Sequence, residues 1–122
     1  MYIDDIRHYC ISKKAVTESF PFNNTTLVFK VMNKIFLMAP LDKWEAGKAS
    51  ITVKCDPVYT DELRETFESI YAGPYVSNKH WNTLALHTYE LSPKLVIELI
   101  NHSYEMVVKG MTKKLRETLN SI

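Results

Sequence analysis

Leu27-Val28-Phe29-Lys30-Val31-Met32-Asn33-Lys34-Ile35-Phe36-Leu37-Met38-Ala39 holds two apolar runs separated by Met32-Asn33. In an extended chain Leu27, Phe29 and Val31 fall on one side and Val28 and Lys30 on the other, the period expected of a strand with one buried face. Asparagine tolerates the left-handed conformation of a tight turn, so the two runs read as an antiparallel hairpin. Downstream, residues 40–49 form a charged loop carrying Trp44 and Gly47. Residues 50–55 are a third strand, with Ile51, Val53 and Cys55 on one face and Lys54 on the other. Asp56-Pro57 ends that strand, and Thr60 is expected to cap a short helix that turns Leu63 and Phe67 to one side. Residues 70–75 read as a short strand interrupted by Gly73-Pro74, and residues 81–86 as another.

Ser92-Pro93 has the signature of a helix start, with a hydroxyl cap and proline in the first turn. Leu95, Val96, Leu99, Ile100, Ser103, Tyr104, Val107 and Val108 make one stripe of that helix, while Glu98, Asn101, Glu105 and Lys109 lie opposite. Gly110 is its expected end, and residues 113–122 read as a charged tail, helical on one reading and with no fixed place, following a single domain over 1–112. Upstream of the hairpin, Tyr2, Ile3, Ile6, Tyr9 and Cys10 recur at helical steps, with Asp4 and Asp5 suited to the helix dipole. Residues 13–25 read as a loop, with Phe20 and Phe22 as candidates for burial.

Hairpin-length connections with helices at both ends of the chain predict an α+β fold. Its expected form is an antiparallel sheet of about five strands, with the N- and C-terminal helices packed on one face. Phe29 and Leu99 should then meet in the core. The other face stays open, and pleating sends Val28, Lys30, Thr52 and Lys54 to it. Burying Leu84 and Leu86 sends Trp81 and Thr83 to the same side, which makes a surface with lysines and an aromatic ring.

Of the 122 residues, 46% are apolar and 24% charged, the balance of a soluble domain with one core. A net charge of +1 excludes a strong overall field toward nucleic acid or anionic lipid, so such binding has to come from a local patch. Cys10 and Cys55 lie too far apart for a thiolate metal motif or a disulfide framework, which fits a reducing cytoplasm. Asp4 and Asp5 stand where a secretory leader carries positive charge, and no apolar run has membrane-spanning length.

Five short segments together resemble the MmcQ/YjbR family of small bacterial domains. They are Glu18-Ser19-Phe20-Pro21-Phe22, Leu27-Val28-Phe29-Lys30-Val31, Lys54-Cys55-Asp56-Pro57, Lys79-His80-Trp81-Asn82-Thr83 and His102-Ser103-Tyr104. The likeness extends to about Met111. It implies a frataxin-like fold and DNA binding by a double-wing arrangement. Just before His80 the chain departs from the family's usual Gly-Tyr-His-Met-Asn-Lys, reading Pro74-Tyr75-Val76-Ser77-Asn78. Asp4, Asp5, Asp61, Glu62 and Glu65 are scattered, without the iron-binding acidic ridge of frataxin, so iron handling is not implied.

The candidate contact residues are Lys30, Lys54, Asn78, Lys79, His80, Trp81 and Asn82. Lysines on one face suit phosphate, although strand lysines also serve to guard against edge pairing. Trp81 suits stacking on a base, or else packing beneath a loop. His80 and His102 would form a catalytic or metal pair only if the fold joined them, and no third ligand has regular spacing. Cys55 at a strand position reads as core rather than nucleophile. The expectation is a cytoplasmic, non-enzymatic DNA-binding protein with no cofactor, no metal and no membrane partner. Its alternative is a domain for a protein segment or an anionic small molecule. An enclosed pocket with one or two lysines would favour the latter.

Overall fold

In a computed structural model, which describes every residue except Tyr75, Val76 and Asn78, the hairpin forms between β2 (Thr26–Val31) and β3 (Lys34–Pro40). Met32 and Asn33 both take positive φ, 48° and 66°, as a two-residue type I′ turn requires. The pairing steps from Phe29–Leu37 to Lys30–Ile35. Phe36 is therefore an extra residue in β3, and this bulge lets both Phe36 and Leu37 enter the core.

The remaining strands are β1 (Val16–Ser19), β4 (Ser50–Lys54), β5 (Ile70–Ala72) and β6 (Trp81–Ala85). They assemble in the order β1-β2-β3-β4-β6-β5, and every neighbouring pair is antiparallel. The sheet has six strands rather than about five, because β1 lies where a loop was expected. Val16-Thr17-Glu18-Ser19 is too short and too polar to declare itself. It is an edge strand held by pairing with β2 and by an Arg7–Glu18 salt bridge of 2.8 Å.

The helices are α1 (Ile3–Ile11), α2 (Leu41–Glu45), α3 (Pro57–Thr66), α4 (Pro93–Lys109) and α5 (Lys113–Asn120), with a 3-10 turn at Leu86–Thr88. The α4 stripe is as expected: Val96, Leu99, Ile100, Ser103 and Val107 are buried, and Ser92 caps the helix through Leu95 N–H. They meet Phe29, Leu37, Ile51, Val53 and Leu84 in one core that also takes Ile6 and Cys10 of α1. Other expectations change, beginning with residues 40–49, expected as a loop, where α2 forms. The cap of α3 is Asp56, whose carboxylate accepts from Val58 and Tyr59 N–H, with Pro57 at the first position; Thr60 is buried inside the helix. Phe20 and Phe22 are exposed rather than buried. The charged tail is helical, as α5 capped by Thr112, but it has a fixed place, because Leu119 is buried in the core.

Candidate functional site

Because the helices cover one face of the sheet, the alternate residues of each strand form the other face. Register arranges them in rows. One row passes from Lys30 through Ile35 toward Lys54 and Trp81, with Lys54 directly opposite Trp81. The next runs Val28, Met38, Thr52, Thr83 and Tyr71 across five strands. Beyond it come the pairs Thr26–Pro40 and Ser50–Ala85. Lys30 and Lys54 share this face but have β3 between them, which separates their strands by about 10 Å.

This face and the loops around it hold a groove of about 770 Å3. Met38, Pro40 and Ile35 supply apolar surface, Phe22, Tyr71 and Trp81 supply rings, and Thr26, Ser50, Thr52 and Thr83 supply hydroxyls. Thr52 and Thr83 lie with their oxygens 3.2 Å apart and are 7% and 6% exposed, so on the floor one hydroxyl donates to the other. Lys43, Lys48 and His87 also line the groove. Asn23, at the rim, uses its Oδ1 to accept the N–H groups of Thr25 and Thr26, which shapes the loop that carries Phe22.

Of the residues singled out in the sequence, Trp81 and its row partner Lys54 reach this face, as does Lys30, but only Trp81 lines the groove. Lys79 is exposed and His80 half-buried in the turn before β6. The carbonyl of His80 accepts the Cys55 N–H at 2.7 Å. Asn78 lies outside the described residues. Asn82 is a correction: it points toward the helices and is 1% exposed. Its Oδ1 accepts from Arg64 at 2.8 Å and its Nδ2 donates to Thr60, so its polar atoms are occupied in fastening α3 to β6.

The second expected histidine is structural. His102 Nε2 accepts the Asp56 N–H at 3.0 Å, and its ring stands edge-on to Tyr59 at 5.2 Å. Its neighbours act alike: Ser103 accepts the Lys54 N–H and donates to Phe36 O, and Tyr104 donates to Lys14 O. Both thiols are buried. Burial pushes Cys10 up to about 12; it also raises Cys55, against a lowering hydrogen bond with Thr60. A thiol so raised is a poor nucleophile at neutral pH. No group of three or more His, Cys, Asp or Glu among the described residues is arranged to hold a metal ion.

Sequence reasoning missed Lys43, Lys48, Tyr71, Met38 and Phe22. Gly47 after a charged segment with Trp44 was the available signal: a helix ending in glycine there brings Lys48 back toward Lys43.

The YjbR family model matches residues 11–106. The uncharacterised protein YbdF of Escherichia coli O157:H7 is 32% identical over 95 residues, which cover 78% of this chain and 75% of YbdF. Among solved structures, protein DR2400 of Deinococcus radiodurans, with domain DUF419, is similar at a TM-score of 0.88 and 31% identity. That match covers 98% of this chain and 88% of the other. A Pseudomonas syringae protein shares the fold at a TM-score of 0.71 and 21% identity, covering 87% of this chain and 98% of its own. A family model across most of the chain, a curated relative above 30% identity and a matching solved fold lead to one conclusion: the chain belongs to the YjbR family.

Proposed function

We propose that this chain is a non-enzymatic binding module whose ligand lies in the groove on the open sheet face. The observation that carries this reading is the groove itself. A concavity of about 770 Å3 with mainly apolar and aromatic walls and a few polar groups has the size and character of small-molecule sites. Among the described residues, the titratable groups with displaced pKa values, Cys10, Cys55, Tyr59, Glu90 and Tyr104, all lie outside its lining, which favours binding over acid–base chemistry. The test is a titration of Trp81 fluorescence with aromatic anions, using Trp81→Phe to separate its signal from that of Trp44. Saturable quenching in the wild type is expected; its absence across the panel counts against the groove.

Binding of DNA, with the hairpins as paired wings, is the second reading. Lys30 and Lys54 on the open face favour it, with exposed Lys79 close by in the turn before Trp81. Phosphate contacts make affinity fall steeply with salt, and a net charge of +1 limits it to about micromolar or weaker. Mobility shifts at two salt concentrations decide: salt-sensitive retardation weakened by Lys54→Ala supports DNA, and no retardation at low salt removes it.

A further inference from the structure

The end of the groove beside Ser50 differs in character from its floor. There α2 stops, and Gly47, at φ 77°, lets the chain reverse. The Gly47 N–H donates to Trp44 O at 3.2 Å and the Lys48 N–H to Lys43 O at 2.8 Å, the paired bonds of a Schellman closure. This closure folds Lys48 back onto the turn that carries Lys43. Trp44 Nε1 donates to Ser50 O at 2.9 Å, which fastens the closure to the start of β4. The N–H groups of Leu86 and His87 donate to Ala49 O, bringing the 3-10 turn to the same point. The backbones of Lys43, Lys48 and His87 are therefore held near one another, and all three side chains line the groove.

No aspartate or glutamate is among the described lining residues, and neither lysine has a carboxylate within 4.0 Å among the described residues. Next to this cationic end lies a floor where the Thr52 and Thr83 hydroxyls are bonded to each other, beside mainly apolar and aromatic surface. Met38 and the rings of Trp81 and Tyr71 are suited to a flat apolar body. A bare inorganic anion would leave that surface wet, and a neutral apolar molecule would leave both ammonium groups without a partner.

We propose that the groove takes an amphipathic aromatic anion, its planar body against Met38, Tyr71 and Trp81 and its carboxylate, sulfonate or phosphate group between Lys43 and Lys48. This rests on the reading of the groove as a ligand site, and it names the class of ligand. The Schellman closure is what sets the two ammonium groups on the ligand's acidic end, so Gly47 is a positioning residue for the site. A side chain added at Gly47 meets no neighbouring atom within 4 Å, so what a substitution there disturbs is the left-handed backbone.

The test uses two probes with one ring system: 8-anilinonaphthalene-1-sulfonate, which carries the anion, and N-phenyl-1-naphthylamine, which does not. Both are titrated into the folded protein by their own fluorescence and by Trp81 quenching. The expected result is that the sulfonate binds about tenfold more tightly than the neutral probe, the scale of a favourable charge pair. Lys43→Gln/Lys48→Gln should remove that preference and leave the neutral probe unchanged. Both lysines are exposed, so the double variant should keep the wild-type melting temperature. Gly47→Val should shift the sulfonate in the same direction by opening the turn. Equal binding of the two probes by the wild type, or an unchanged preference in the double variant, overturns the anion assignment while leaving the groove as an apolar site. Failure of both probes to bind overturns the groove reading together with it.

Discussion

Ser103 illustrates how one side chain can complete a sheet. The β3–β4 ladder runs only over Leu37–Val53 and Met38–Thr52. Beside it, the bulged Phe36 and the last residue of β4, Lys54, have a carbonyl and an N–H for which this ladder gives no pairing. The Ser103 hydroxyl, on the buried stripe of α4, bridges them by accepting from Lys54 N at 2.8 Å and donating to Phe36 O at 2.5 Å. A serine on the apolar stripe of a helix would otherwise be a poor choice, since its hydroxyl competes with the backbone and resists burial. Ser103→Ala leaves a buried donor and acceptor unmet and should destabilise the protein by about 1 to 3 kcal/mol. Urea unfolding checks this; a loss near zero would mean that water enters and replaces the hydroxyl.

At the scale of the element, α4 is the helix that closes the core. Its buried face lies over β3 and β4, and Leu99 is 2% exposed in the same cluster as fully buried Phe29. Leu99→Ala should cost about 2 to 5 kcal/mol, the lost transfer energy plus the cavity left between helix and sheet. Thermal and urea unfolding measure it, and a loss under about 1 kcal/mol would show that the helix shifts to fill the space. The elements that periodicity did not reveal are the ones with little apolar pattern of their own. β1 has four residues and α2 five, too few for either period to register, and each is held by what lies beside it. Pairing with β2 makes β1 a strand, while the Trp44 indole bond and the glycine closure after Ala46 stop α2 and turn it back.

For the whole molecule, stability resides in one apolar core shared by sheet and helices. Treatment with a chelator should therefore leave the melting temperature unchanged, because no described ligand cluster couples folding to a metal ion. A fall in melting temperature together with released metal would contradict that. The hairpin, the long C-terminal helix with its Ser92 cap, the burial of Phe29 and Leu99, and the two-faced sheet were all legible along the chain. They follow from local alternation, helical period and capping chemistry, which a single strand or helix carries within itself. The family was legible for a related reason: its short segments sit at backbone positions that must be tied, such as Asp56 at the head of α3 and His102-Ser103-Tyr104 against β4 and the first loop. The groove was not. Its lysines come from α2 and the turn after it, its rings from a loop and two other strands, and its floor from strands whose order no local pattern states. Which lysines face which rings depends on strand order, on twist and on one left-handed glycine, and these act between segments distant in the chain.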